Sequence, residues 1–464
     1  MVLYHTHGTM TDADLIARYD GRVPRYTSYP TAPHFHAGLN AQIYVDWLKS
    51  LPSDVALSLY LHVPFCDRLC LYCGCHTSVV RHDPPKQLYA RTLGKEIALL
   101  ADALGRRAEV TQIHWGGGTP TSLPDECLVM VMETIRDRFD VAADAEVAIE
   151  LDPVSLSATK MGTLAQMGIN RASLGVQDFA EDVQKAIGRM QSFAETQRVV
   201  QALRGLGVGS INLDLIYGLP CQTEESVRQT ARMALELMPD RAAVFGYAHV
   251  PWMKKHQALM PEGSLPGGLA RLQQERAIRA VLEQEGRMLP VGLDHYARAD
   301  DAMAKAASSG TLQRSFQGYT TDAAPVLLGL GASSIGAMPQ GYVQNQPRVP
   351  LYEAAINQGQ FAISRGVALT AEDRLRRAVI ERIMCDLSVD LPAMAACFGV
   401  DKGDLLADAA PLLGYVADGL VEWNGDVVRV TERGRPFVRN VAALFDAYLG
   451  RTQGEQTLRH SRAV

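Results

Sequence analysis

Between residue 58 and about residue 250, short apolar runs alternate with longer stretches of helical periodicity, the pattern of parallel strands covered by helices. The runs are Ser58 to Val63, Val110 to Trp115, Glu146 to Leu151, Arg171 to Val176, Ile211 to Tyr217 and Ala242 to Val250. Segments such as Gln87 to Arg107 and Glu181 to Leu206 read as the intervening helices. Six βα units predict an α/β fold, an open (three-quarter) parallel β/α barrel rather than a closed one. In such sheets ligands gather at the carboxyl ends of the strands, so the residues that end each run are where chemistry is expected. Residues 251 to about 367 are less regular and rich in Gly and Pro. The helical pattern resumes from Thr370 to Leu387 and from Leu391 to Phe398, and Gly414 to Val430 predicts a helix end followed by a hairpin turning at Asn424-Gly425. The chain thus divides into an N-terminal extension over 1–50, the partial barrel and its extension over 51–367, and a mainly helical, winged-helix-like domain over 368–464.

Composition narrows the setting. At 464 residues, 47% of them hydrophobic, the chain exceeds the size at which a single core stops growing, so a second domain is expected. It has no uncharged apolar run of about 18 residues, and its start lacks the basic and apolar regions of a signal peptide, so a cytoplasmic location is expected. A net charge of -6 and a pI near 6.1 argue against nucleic acid or an anionic membrane as the main partner. The mixed charge of Thr370 to Arg439 likewise disfavours a DNA-binding regulator, although helices followed by a hairpin would suit one. Of eight cysteines, Cys66, Cys70, Cys73 and Cys75 cluster, while Cys127, Cys221, Cys385 and Cys397 are scattered through apolar segments and are expected to be buried hydrophobes.

The clustered cysteines lie in SLYLHVPFCDRLCLYCGCHT, at the end of the first strand. Three readings compete. A buried helical stripe would place Cys66, Cys70 and Cys73 on one face, but Pro64, Asp67, Arg68 and Gly74 make a poor apolar helix. A structural zinc site normally takes two CxxC knuckles from separate loops, and ligands packed this tightly do not easily form a tetrahedron. An iron–sulfur cubane can take its thiolates from one tight loop, and three ligands would leave one iron open.

The Cys66-x3-Cys70-x2-Cys73 spacing, with Tyr72 before the third cysteine, resembles the cluster motif of the radical S-adenosylmethionine (SAM) superfamily. Within it, nearly the whole chain resembles the oxygen-independent coproporphyrinogen III oxidases, also called coproporphyrinogen dehydrogenases. The matching segments, in order, are PRYTSYPTA (Pro24 to Ala32), Tyr60 to Cys75, HWGGGTPT (His114 to Thr121), ASLGVQDF (Ala172 to Phe179), NLDLIYGLP (Asn212 to Pro220), YAHVPW (Tyr247 to Trp252), DHYAR (Asp294 to Arg298) and FQGYTT (Phe316 to Thr321). A haem-carrying chaperone of the same superfamily is the nearest rival. Such relatives generally lack the PRYTSYPT stretch and the CxC ending of the cluster motif, both present here. An anaerobic haem-opening, methyltransferase-like enzyme is a second rival.

The resemblance implies a radical SAM reaction in haem (porphyrin) biosynthesis. A [4Fe-4S] cluster on Cys66, Cys70 and Cys73 cleaves SAM, and the resulting 5'-deoxyadenosyl radical starts the oxidative decarboxylation of two propionates of coproporphyrinogen III to vinyl groups, giving protoporphyrinogen IX. It implies two SAM molecules, the first held by Tyr60, Gly117, Glu150 and Ile335, the second by Tyr72, Gly118, Thr119, Gln177, Arg189, Asp214 and Ala248. Cys75 matches a family cysteine that is not a cluster ligand. The N-terminal extension is expected to reach the active site, with Arg22, Arg25, Tyr26 and Tyr29 as substrate candidates because cations over aromatic walls suit an anionic, apolar macrocycle. His295 and Arg298 are further candidates. A reductant for the cluster and an electron acceptor are needed as partners, and a monomer is expected.

Overall fold

The computed structural model describes residues 10–449 and 461–463, so the first nine residues of the expected extension and most of the last fifteen lie outside the described residues. The six runs are strands: β1 (Leu57–Val63), β2 (Glu109–Gly117), β3 (Asp140–Leu151), β4 (Arg171–Gln177), β5 (Ser210–Tyr217) and β6 (Arg241–Gly246). Each pairs in parallel with the next in sequence. They read as near-continuous apolar runs because both faces are covered: helices pack outside, and Leu57, Leu59, Leu61, Ile113, Trp115 and Leu213 belong to one buried core.

Two boundaries differ from the sequence pattern, and both differences shape the site. β6 stops at Gly246 instead of Val250, because the chain leaves the sheet after the Tyr247 N–H bonds to the Tyr217 carbonyl (2.8 Å). The helix expected over 181–206 is two helices, Glu181–Ala186 and Phe193–Gly205. Gly188 at φ +66° ends the first, and Ser192 with Glu195 forms a capping box that starts the second. The break turns Arg189 inward.

Residues 251–367 are more ordered than their composition suggests. Val326–Leu330 pairs in parallel with β1, and Ile335–Met338, Gly341–Asn345 and Ile363–Ala368 extend that edge as antiparallel strands. On the far side His295–Ala297 pairs antiparallel to β6, followed by Leu289–Val291. The described residues thus form one 12-stranded sheet whose ends stay apart, so the barrel is open.

Past this sheet, the helix Ala371–Asp386 and the shorter helices Leu391–Phe398, Lys402–Ala409 and Leu412–Ala417 pack on a three-stranded sheet. Its hairpin turns at Asn424-Gly425, where Asn424 Oδ1 accepts from the Asp426 and Val427 N–H groups at 3.1 and 2.8 Å. The N-terminal segment belongs partly to this unit. Tyr26 (4% exposed) and Tyr29 (1% exposed) lie in its core with Leu375, Val379, Val441 and Phe445. At the other terminus, Ser461 to Ala463 run back beside Gly21 to Val23, joined by an Arg22–Arg462 bridge. Of the four scattered cysteines, Cys127 and Cys385 are buried as expected, but Cys221 and Cys397 are exposed. Cys221 falls in a turn just past β5, at φ +67°, and Cys397 on the outer side of a short helix, so apolar neighbours in sequence did not bury either one.

Candidate active site

The loop after β1 carries the four clustered cysteines, and later segments pin it from several sides. The Leu71 N–H bonds to the Ile187 carbonyl (2.9 Å). His256 Nε2 meets the Cys73 carbonyl at 2.8 Å, Lys254 Nζ donates to the Cys75 carbonyl at 2.7 Å, and Gln257 Nε2 donates to the Tyr72 carbonyl at 2.9 Å. Asp152, past the end of β3, holds both Arg68 (3.1 Å) and Arg189 (3.2 Å). These bonds fix thiols that the local sequence alone would leave free to move.

The thiols fit an iron–sulfur cluster better than a mononuclear metal. Among the described residues no three His, Cys, Asp or Glu side chains converge as a single ion requires, whereas a cubane spreads its thiolates over separate irons. Thr77 and Thr119 hydroxyls lie 3.2 and 3.5 Å from Cys66 Sγ, and Arg189 Nη1 donates to Cys70 Sγ at 3.5 Å. Such donors stabilise thiolates. Burial pushes the Cys66 thiol up, against the pull of Thr119 and Thr77. A hydrogen bond from the Cys75 thiol holds Cys73 down, and the same bond holds Cys75 up.

Gly117 and Gly118 end β2 directly above this loop. Gly117 sits at φ +115°, a conformation open to glycine, and its N–H donates to Glu150 Oε2 at 3.0 Å. A Cβ on Gly118 would meet the Phe65 carbonyl and Thr77 Oγ1, each at 2.6 Å, and Cys66 Sγ at 3.0 Å. Since two of these are tied to the cysteine loop's backbone, Gly118→Ala is expected to overpack the contact at a cost of about 1–3 kcal/mol and to lower the iron content of anaerobically purified protein. Full iron loading in that variant would show that the loop yields.

The strand ends and the loop enclose a cavity of about 820 Å³. Its walls bring together Cys66, Cys70, Cys73 and Cys75 with Tyr72, Gly117, Gly118, Thr119, Glu150, Gln177, Arg189, Asp214 and Ala248. Residues from six strand ends thus meet in one place. Arg189 is kept strongly basic, because Tyr72, Asp152 and Cys70 outweigh the effect of burial, and its buried Nε has no hydrogen-bond partner among the described residues. That N–H is suited to an anion such as a carboxylate. Burial and then the Glu150 charge push Asp214 up to about 7, although Ser173 Oγ and Asn212 Nδ2 donate to it at 3.1 and 2.8 Å. An ammonium or a pair of ribose hydroxyls would complete its bonding.

Tyr60 and Ile335 are not part of that wall. The Tyr60 hydroxyl lies 3.0 Å from His62 Nδ1 and its ring is stacked on His114. Ile335 packs against the apolar group formed by Phe35, Tyr342 and Val367.

The expected substrate residues of the N-terminal segment divide. Arg25 lines the cavity and donates to the Gly246 carbonyl at 3.2 Å. Tyr26 and Tyr29 do not face it, and their expected contact with substrate is corrected: the Tyr26 hydroxyl donates to Asp446 (3.0 Å), and the Tyr29 hydroxyl accepts from the Ala447 N–H (3.0 Å), inside the C-terminal core. Arg22 also lies outside the cavity wall, over the Trp252 ring at 4.3 Å. His295 lines a smaller adjoining chamber, while Arg298 forms an exposed pair with Asp300. Arg271, Arg314 and Arg439, which also line that chamber, carried no signal in the sequence, where each is one arginine among many.

Residues 60–234 match the model of the radical SAM superfamily, and residues 369–437 that of the HemN C-terminal domain. The chain is 50% identical to the oxygen-independent coproporphyrinogen III oxidase of Bradyrhizobium diazoefficiens, over 97% of this chain and 100% of that protein. It is 40% identical to the protein of the same name from Pseudomonas aeruginosa, over 94% of this chain and 96% of that one. Among solved structures it resembles the Escherichia coli coproporphyrinogen III oxidase, described as a radical SAM enzyme, with a TM-score of 0.88 and 37% identity over 95% of this chain and 100% of that chain.

Proposed function

Because the chain belongs to the oxygen-independent coproporphyrinogen III oxidases of the radical SAM superfamily, we propose that it decarboxylates two propionates of coproporphyrinogen III to vinyl groups, giving protoporphyrinogen IX in haem biosynthesis. The observation that carries this reading is the single cavity in which the three cysteine thiols, the glycine edge of β2, Glu150, Arg189 and Asp214 meet. When bound, the cluster and SAM supply a 5'-deoxyadenosyl radical that takes a hydrogen atom from a propionate, after which carbon dioxide and one electron leave.

The chain's own residues bind and orient. Cys66, Cys70 and Cys73 would hold the cluster, and Gly117 and Glu150 a first SAM, whereas Tyr60 and Ile335, which the family resemblance also implied for it, lie outside the cavity wall. A second SAM would lie across Tyr72, Gly118, Thr119, Gln177 and Ala248, its carboxylate on Arg189 and its ammonium or ribose on Asp214. Arg25 would meet a substrate propionate. We assign 1–50 to an extension that reaches the site, 51–367 to the catalytic barrel and 368–464 to the C-terminal domain. Among the described residues no helix is long and apolar enough to cross a membrane. An oxygen-sensitive cluster calls for a reducing compartment, which favours the cytoplasm, where a one-electron reductant and an electron acceptor would be the partners of a monomer.

The test is anaerobic incubation of cluster-loaded protein with dithionite, SAM and coproporphyrinogen III. Protoporphyrinogen IX is expected, with one deoxyadenosine for each vinyl group. An intact cluster that cleaves SAM but forms no vinyl product would overturn the reading.

A further inference from the structure

The loop that follows β6 inverts the usual order of polar and apolar side chains. In the turn Lys255–Leu259, Leu259 is 71% exposed, whereas Gln257 is 0% exposed. Burying an amide costs free energy unless its groups are bonded, so a turn that exposes a leucine and buries a glutamine keeps the glutamine for its hydrogen bonds. Gln257 uses both ends. Its Oε1 accepts from the Val250 N–H at 2.6 Å, and its Nε2 donates to the carbonyls of Tyr72 (2.9 Å) and Ala248 (3.2 Å). One side chain thus ties the cysteine loop to the segment that leaves the sheet after Gly246.

Because β6 stops at Gly246, the Ala248 carbonyl and the Val250 N–H lie outside the strand ladder, and Gln257 bonds to them in its place. Tyr72, Ala248 and Val250 all line the large cavity, while Gln257 lines neither it nor the smaller chamber. Its amide therefore acts from behind the wall on groups that face the site. The cysteines are held by other means: Thr77 and Thr119 lie beside Cys66, Arg189 donates to Cys70, and His256 and Lys254 bond the carbonyls of Cys73 and Cys75. The Tyr72 side chain packs in an apolar group with Ile187, Leu219, Tyr247 and Met260. Apolar contact has no direction, so the directional bonds of Gln257 set the register of Tyr72 against Ala248.

We propose that Gln257 is a positioning residue for the SAM expected across Tyr72 and Ala248, fixing these two contacts relative to each other so that the site is formed before the ligand arrives. This rests on the reading that two SAM molecules bind. Without the amide, the Tyr72 and Ala248 carbonyls and the Val250 N–H lose their shared partner, and the segment over 247–250 is free to part from the cysteine loop. The apparent affinity for that SAM then falls by the fraction of molecules in which the wall is in place. The SAM expected at Gly117 and Glu150 shares no contact with this joint.

The test is equilibrium dialysis of labelled SAM against cluster-loaded protein under argon, without reductant or substrate, so that no SAM is consumed. The wild type should take up two SAM per chain. Gln257→Met, close in size but unable to hydrogen-bond, should keep its iron and one SAM at wild-type affinity, while the other binds about tenfold or more weakly, the scale of a lost bond to a buried group. Gln257→Glu keeps the acceptor for the Val250 N–H, so it should weaken the same SAM to a lesser extent, and it decides the matter if the methionine variant does not fold. Two SAM bound at wild-type affinity by the variants, equal weakening of both, or loss of iron would overturn the role of Gln257. A wild type that binds a single SAM would overturn the two-SAM reading itself.

Discussion

Cys66→Ser, Cys70→Ser and Cys73→Ser will each purify without iron and without the visible absorbance of a cluster, whereas Cys75→Ser will retain both. A thiolate binds iron tightly and a serine hydroxyl poorly, so the loss at each ligand should be near complete, with activity down by more than about a thousandfold because the three act as a unit. The surroundings separate Cys75 from the others. Cys66 lies among Thr77 and Thr119, and Cys70 takes a bond from Arg189, but the exposed Cys75 borders both the large cavity and the arginine chamber. A hydrogen bond from the Cys75 thiol holds Cys73 down. Iron and sulfide assays on anaerobically purified variants decide the matter, and an iron-free Cys75→Ser would make Cys75 a ligand.

Burial explains which parts of this architecture could be read from the chain. Strands covered on both faces, such as Leu57–Val63, cannot afford polar residues, so β1 to β6 stand out as apolar runs. The strands over 326–368 are short, contain Gly329, Gly336 and Gly366, and sit toward an edge, so composition made them look like loop. Glu150 and Gly117 were legible together only through the order of family motifs, since no local pattern links residues 33 apart. Arg314 shows the limit. Its buried Nε and Nη1 have no hydrogen-bond partner among the described residues and it lines one chamber with four other arginines, and both are properties of packing that no window of sequence contains.

The N-terminal segment gives the second large effect, because residue type pointed there to one role and burial assigns two. Arginines and tyrosines in PRYTSYPTA suit an anionic macrocycle, but only Arg25 reaches the cavity. Tyr29 is fully buried, edge-on to Tyr448 at 5.7 Å, with its hydroxyl accepting from the Ala447 N–H. Tyr29→Ala should therefore destabilise the C-terminal unit by about 3–5 kcal/mol, the usual cost of emptying a large aromatic site. Tyr29→Phe keeps the ring and strands one N–H, for a loss of about 1–3 kcal/mol. Arg25→Ala removes no such packing, so its unfolding curve should stay near that of the wild type while its KM for coproporphyrinogen III rises. Urea unfolding followed by tryptophan fluorescence, with Trp423 beside this core as a reporter, measures the first effect, and steady-state decarboxylation measures the second. If Tyr29→Ala unfolded like the wild type and raised only KM, Tyr29 would touch the substrate and the segment would be a clamp along its whole length. If instead stability falls with Tyr29 and affinity with Arg25, the segment is a strap: its tyrosines are anchored in the C-terminal core so that one arginine is held over the cavity.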